Sequence, residues 1–345
     1  MNPSVDENPP SLAEWKELYK QAVKFKEIAP WCWMWDSNLF GVKNPEDGET
    51  GYCCVLGAAG EVFGLVVYKG CEGLDGYWKT VHHPELVRRH DAIHLKKCLL
   101  LTFDHRSDLE KPDLQIIKEL GLTFKGVNAY PLFRSYEPGF YPWHLSSKEA
   151  RFLALCVEQA NEAVLRFKAD PNLFDSPKQD HYFVKVQEEN STWSDQWLKP
   201  ALLRKVVQIT KIFDSRRLER IMALPSPEKM VWEIDYFYSP SGVGKKGERP
   251  YFPMTLLLVD QHSFFVLNVH LFEPHVFLID LHEHFLKTIE KAEIRPEAIW
   301  VQKEDLYAYL QPLAEKLGVR MHLAGELPAA SDARNSMLEF FARPK

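Results

Sequence analysis

VWEIDYFY (Val231 to Tyr238), PMTLLLVD (Pro253 to Asp260) and FFVLNVHL (Phe264 to Leu271) are three β-rich runs whose apolar residues alternate or continue unbroken. That is the pattern of strands with one or two buried faces. Short connections join them, so they read as an antiparallel meander. The next stretch, HVFLIDLHEHFLKTIEKA (His275 to Ala292), places Phe277, Leu278, Leu281, Phe285, Ile289 and Ala292 on one side of a helix. A buried strand AIWVQ (Ala298 to Gln302) follows, then a helix from Leu306 to Leu317 stopped by Gly318, a strand VRMHL, and a last helix from Asp332 to Phe341. The order is β-β-β-α-β-α-β-α, a mixed α/β unit.

Working outward, the first half supports the same order. WCWMWD (Trp31 to Asp36), GYCCVL (Gly51 to Leu56) and EVFGLVVY (Glu61 to Tyr68) form its meander, and CLLLTF (Cys98 to Phe103) its buried strand. Asp113 to Leu120 is a short helix ending at Gly121. Ser146 with Glu149 makes an S-x-x-E capping box for a helix to Phe167. A further helix precedes each meander, Leu12 to Ile28 and a segment from Leu198 to Met222. Sequence echoes keep chain order at offsets of roughly 180 to 200 residues: WMWD with WEID, GEVFGLVVY with FFVLNVHLF, IKELGLTF with AEKLGVRM, EAR with DAR. They predict an internal duplication, with a first unit over 11–168, a linker over 169–197, and a basic helix plus second unit over 198–345. HYFVKVQ (His181 to Gln187) has no counterpart and no place in that scheme.

The 345 residues are 46% hydrophobic, 26% charged and 13% aromatic, which excludes a largely disordered chain. Forty-two Lys plus Arg against 48 Asp plus Glu leave a net charge of −6, so the whole-chain field does not favour nucleic acid or an anionic membrane. No apolar run reaches bilayer-spanning length, and the start MNPSVDENPPS lacks a basic-then-apolar pattern. A cytoplasmic protein is expected, with no membrane partner. All six cysteines lie in the first half without C-x-x-C spacing, the usage of free thiols in a reducing compartment.

Several runs then carry a resemblance: APWCWMWDSNLFGV, GYCCVLGAAGEVFGLVVYKGCEGL, FRSYEPGFYPWHL and RPYFPMTLLLVD. They resemble uncharacterised bacterial proteins that join two adjacent domains of unknown function, and this resemblance implies no activity. The element order is also similar to that of ribonuclease-H-like units, an analogy of fold that does not establish function.

Two-metal phosphoryl transfer needs carboxylates converging where the first strand, a neighbouring central strand and flanking helices meet, because hard divalent ions take oxygen ligands. Acids stand at those places in both halves: Asp36, Asp104 and Glu149, and Asp235, Glu304 and Asp332. The spacing from Asp36 to Asp104 matches that from Asp235 to Glu304 to within one residue. Such acids also end strands and cap helices on ordinary grounds. The leading expectation is therefore a non-catalytic binding or regulatory protein of unknown partner. The alternative is a metal-dependent phosphoester hydrolase or transferase acting on nucleic acid, with Mg or Mn as cofactor. Arg204, Lys205, Lys211, Arg216 and Arg217 in the basic stretch, and Lys245 and Lys246 in SPSGVGKKGERP, are candidates to touch an anionic partner. That glycine-lysine loop lacks the spacing of a phosphate loop and leads into a strand, so it reads as a flexible hairpin loop. YPLFRSYEPGFYPWHL (Tyr130 to Leu145), broken by Pro131, Pro138 and Pro142, cannot be a helix or a central strand; it either plugs a core edge or presents a surface.

Overall fold

Ser11 opens the first helix, α1 (Leu12–Ile28), through a capping box closed by Glu14, and α1 buries Trp15, Leu18, Tyr19, Ala22 and Phe25. The structure, a computed structural model, describes residues 8–82, 92–201, 214–274 and 276–342. It divides into two compact units, Met1–Leu203 and Arg204–Lys345.

In the first unit α1 leads into β1 (Phe40–Lys43), β2 (Thr50–Leu56), β3 (Gly64–Lys69), α2 (Gly70–His82), β4 (Cys98–Asp104), α3 (Lys111–Glu119), β5 (Tyr130–Tyr136) and α4 (Ser147–Ala169). Two more strands follow, β6 (Tyr182–Gln187) and β7 (Trp193–Leu198). The seven strands form one sheet in the order β5-β4-β3-β2-β1-β6-β7. Every pair is antiparallel except β1 with β6. Alternation sends Val42, Cys53, Val55, Leu65, Val67, Leu99, Leu101 and Phe133 to the face packed by α1 and α4. Tyr52, Cys54, Val66 and Cys98 go to the opposite face with Leu74 and Tyr77 of α2.

The second unit runs α5 (Ser215–Met222), β8 (Val231–Tyr238), β9 (Met254–Asp260), β10 (Val266–Phe272), α6 (Phe277–Ala292), β11 (Ala298–Val301), α7 (Glu304–Lys316), β12 (Arg320–Leu323) and α8 (Pro328–Ala342). Its sheet has the order β10-β9-β8-β11-β12, with β8, β9 and β10 antiparallel and β11 parallel to both β8 and β12. Trp232, Ile234, Leu256, Leu258, Ile299 and Val301 pack beneath α6 and α7, while Phe237, Leu257 and Val259 pack against the start of α8.

Both units are thus mixed α/β, and from β1 to α4 and from β8 to α8 both follow the β-β-β-α-β-α-β-α order read from the sequence as ribonuclease-H-like. Their wiring differs. In the second unit the fourth strand, β11, lies parallel beside the first; in the first unit β4 lies antiparallel beside β3. The close approach of β3 to β4 needs a glycine, because a Cβ at Gly64 would sit 2.0 Å from the Leu101 carbonyl oxygen. The matched-acid comparison between halves therefore has no common geometry to rest on.

Three local expectations are corrected. Trp31 to Asp36 is no strand: after the left-handed Ala29 the chain enters a 3-10 turn over Pro30–Cys32, and the N–H groups of Cys32 and Trp33 are spent on Ala29 and Pro30. The first strand is β1 instead. The span 169–197 is not only a linker, since β6 and most of β7 fall within it and extend the first sheet. Of the helix expected from Leu198 to Met222, Leu198 ends β7, only α5 is helical among the described residues, and 202–213 lie outside them. Within Tyr130 to Leu145, β5 is an edge strand, where Pro131 costs no internal ladder bond. Phe140 is buried there and Tyr141 exposed.

Candidate functional site

The α8-facing side of β8 carries two acids. Alternation turns Glu233, Asp235 and Phe237 to this side, away from Trp232 and Ile234. Glu233 is fully buried and accepts hydrogen bonds from the Ala330 amide (2.8 Å) in the first turn of α8 and from Gln261 Nε2 (3.2 Å). A carboxylate aimed at unsatisfied N–H groups of a helix start is stabilised by them and by the positive end of the helix dipole. Glu233 thereby fastens α8 to the sheet.

Asp235, two residues on, meets cations. Lys303, which precedes α7, donates from Nζ to Asp235 Oδ1 at 2.5 Å and also to the Tyr236 carbonyl. The Arg334 guanidinium lies 3.8 Å from Asp235 Oδ2 and stacks over the Phe237 ring. The other two acids of this trio do not join Asp235. Glu304 opens α7 in an exposed position, where it suits the helix dipole, and Asp332 is exposed on α8. The residue after Glu304, Asp305, accepts instead from the Tyr236 hydroxyl at 2.6 Å, on the opposite face of the sheet. Burial and the Asp305 carboxylate push the Tyr236 phenol well up. An oxygen-rich seat for a divalent ion is not what these side chains make, because two cations occupy the space around Asp235 where further carboxylates would be required.

The first trio is also dispersed. Asp36 is exposed in a turn; Asp104 ends β4, separated from β1 by β3 and β2, and accepts from Thr102 Oγ1 at 2.5 Å. Glu149 is half-buried. It closes the capping box of α4 with Ser146, accepts from Ser135 Oγ at 2.6 Å and pairs with Lys69 at 3.1 Å, while Lys69 also pairs with Glu137. Burial drives the Glu149 carboxyl up, but the Lys69 charge, the Ser135 hydroxyl and the Ser146 amide together outweigh it, and its pKa ends below the ordinary value. Among the described residues no three His, Cys, Asp or Glu side chains are placed to hold a metal ion.

Of the basic candidates, Arg204, Lys205 and Lys211 fall outside the described residues. Arg217 is committed to structure: it pairs with Glu283 (2.7 Å) and Glu290 (2.8 Å) of α6, holding α5 in place. Arg216, Lys245 and Lys246 are exposed. An open cleft of about 400 Å³ borders α5 and the end of α6, lined by Arg220, Ile221, Leu224, Pro225, Glu290 and Glu293, and holds none of the candidate acids.

Sequence reasoning missed three polar groupings. Glu233 had a signal, since alternation in WEID puts it on one face with Asp235. The second is the bidentate pair of Arg134 with Asp113 (2.9 and 2.8 Å), flanked by Glu110 and by His144 at 3.3 Å from Glu110. Its partners are distant in sequence and no spacing announces them. The third is His270 of β10 stacked on His284 of α6 with ring centroids 3.5 Å apart.

Comparison with known proteins matches residues 15–185 to a Domain of unknown function (DUF7309) and residues 217–338 to a second Domain of unknown function (DUF6930). No curated protein matches the chain. Among solved structures it is similar to the HTLV-2 integrase catalytic core domain in complex with magnesium, at 17% identity and a TM-score of 0.24, over 35% of this chain and 78% of that one.

Proposed function

We infer that this chain, which joins a DUF7309 domain to a DUF6930 domain, acts by binding rather than by metal-dependent phosphoester chemistry. One observation carries the reading: Asp235, the acid on the central strand of the second unit, is neutralised by Lys303 and Arg334, while Glu304 and Asp332 are exposed. A divalent ion entering there would have to displace two protein cations, and the other carboxylate on that face, Glu233, is held by the Ala330 amide and Gln261. The first trio supports the same reading, since Glu149 is consumed by Lys69 and a helix cap. The reading places the chain in a bacterial cytosol, where six free thiols, four of them buried, stay reduced. No described helix is long and apolar enough to cross a membrane.

The test uses the full chain with Mg²⁺ or Mn²⁺ and labelled single-stranded, duplex and hybrid nucleic acids. No cleavage above the buffer rate is expected. Metal-dependent cleavage that disappears in Asp235→Asn would overturn the reading and install Asp235 as a metal ligand.

A further inference from the structure

Two asparagines in the chain precede a serine, Asn190 and Asn335, and they stand in opposite settings. Asn335 lies inside α8, where helical geometry holds the Ser336 N–H in the backbone ladder and away from the asparagine side chain. Asn190 is exposed at the tip of the hairpin that joins β6 to β7. Its Oδ1 accepts from the Thr192 amide at 3.1 Å and from Thr192 Oγ1 at 2.6 Å. A turn of this kind folds the side chain back over the peptide that follows, toward the Ser191 nitrogen. Ser191 is left-handed, with φ at 64°, a conformation that a residue with a Cβ rarely adopts, and its N–H donates to the Glu188 carbonyl at 2.9 Å. A strained, solvent-exposed tip held by short-range bonds opens readily. Two donors on one carbonyl oxygen also stabilise negative charge that develops there, as the donors of an oxyanion hole do in acyl transfer.

We propose that Asn190 is a site of self-modification whose co-reactant is water. When the tip opens and the Ser191 N–H leaves Glu188, hydroxide takes its proton and the nitrogen forms a bond to Asn190 Cγ. Negative charge builds on Oδ1, where both Thr192 donors point. The bond from Cγ to the side-chain nitrogen then breaks, and that nitrogen takes a proton from water and leaves as ammonia. A five-membered succinimide remains, which water opens at either carbonyl to aspartate or isoaspartate. The net change is one water consumed and one ammonia released, with no oxidant or reductant. The product places a new carboxylate directly after Glu188 and Glu189, and isoaspartate lengthens the main chain by one carbon just before the left-handed Ser191. The hairpin at the edge of the first sheet is therefore marked slowly and irreversibly. The inference is independent of whether the chain binds or catalyses.

Peptide mass spectrometry of the full, folded chain, incubated at mildly alkaline pH in heavy-oxygen water, tests it. The Asn190 peptide should lose ammonia, gain one heavy oxygen and split into two isomers, at least about tenfold faster than the Asn335 peptide of the same sample. Thr192→Val removes the hydroxyl donor but keeps the branched shape, and should slow conversion of Asn190 at least about threefold. Thr192→Ser, which keeps the hydroxyl, should convert at close to the wild-type rate. An Asn190 that converts no faster than Asn335 overturns the proposal. So does a folded Thr192→Val chain that converts at or above the wild-type rate.

Discussion

Removing the Lys303 charge should destabilise the second unit, whereas removing both Lys303 and Asp235 should cost less than the two single changes added together. At 2.5 Å the bare attraction between Lys303 Nζ and Asp235 Oδ1 is about 7 kcal/mol at an effective dielectric constant of 20. Asp235 is 14% exposed, but Lys303 is 34% exposed, so solvent screening and the cost of desolvating both groups leave a net coupling of about 1 to 3 kcal/mol. Arg334 at 3.8 Å retains part of the neutralisation after Lys303 is lost, which places the coupling in the lower half of that range. The assay is a double-mutant cycle by urea unfolding on wild type, Lys303→Met, Asp235→Asn and the double variant, repeated with Mn²⁺. Lys303→Met should lower stability by about 2 kcal/mol, or roughly 4 to 8 °C in Tm for a unit of this size. The double variant should recover part of it, with no response to Mn²⁺. A coupling below about 0.5 kcal/mol, or a Mn²⁺-induced rise in Tm that Asp235→Asn abolishes, would refute the argument that this acid is occupied by cations.

Glu149→Gln should cost about 2 to 4 kcal/mol, because Lys69 keeps only Glu137 and the α4 cap loses its carboxylate; guanidinium unfolding measures it. Since the folded Glu149 pKa is depressed, its contribution is present above the ordinary carboxylate range and is lost as pH falls through the folded value, so wild type should lose more stability than Glu149→Gln on moving from pH 6 to about pH 3. The histidine pair titrates higher. Burial lowers the pKa of both His270 and His284, and the His270 and Lys287 charges add to the effect at His284. Because the unfolded chain takes up these protons first, stability should fall as pH drops below about 6.5. His284→Gln should flatten that slope between pH 7.5 and 5.5 in denaturant melts, and an unchanged slope would show that the pair does not titrate differently on folding.

How much of this was legible depended on the range of the interaction. α1 was readable to its ends because its amphipathic stripe is a local signal, and the Ser146–Glu149 box marked α4 in the same way. β8, β9 and β10 were readable because their apolar runs are long, although only the connection from β9 to β10 is a short one and 239–253 form a long loop between β8 and β9. Trp31 to Asp36 failed because aromatic content mimics a strand, while Pro30 and the left-handed Ala29 commit the backbone to a turn. α8 begins at Pro328 rather than Asp332, its first turn fixed by Glu233 of the strand face it covers. Asp104, Glu149, Asp235 and Glu304 stand on or beside the elements expected of them, whereas Asp36 lies in a turn and Asp332 lies within α8 rather than at its start; what each one faces is a tertiary matter. No spacing rule in the chain says that Lys303 and Arg334, not Glu304 and Asp332, meet Asp235.

The segment that had no counterpart explains why one element order produces two sheets. In the second unit the edge of β8 not paired with β9 is taken by β11, in parallel, after α6 carries the chain back. In the first unit the equivalent edge of β1 is also taken by a parallel strand, but that strand is β6, from Tyr182–Gln187, which comes after the whole repeated order has been used. The local pattern is shared: a three-stranded antiparallel meander with a parallel neighbour on its first strand. Its last strand is supplied from a different part of the chain, and β4 and β5 are left to extend the meander on the other side. Spacing counted along the sequence therefore aligned Asp104 with Glu304, although the strand beside β1 ends at Gln187. The buried lysine of that strand, Lys185, pairs with Glu162 and Asp195. Beside the first strand of each sheet a lysine is paired with carboxylate, Lys303 with Asp235 in one and Lys185 with Glu162 and Asp195 in the other, so a protein cation already holds the place that an ion would need.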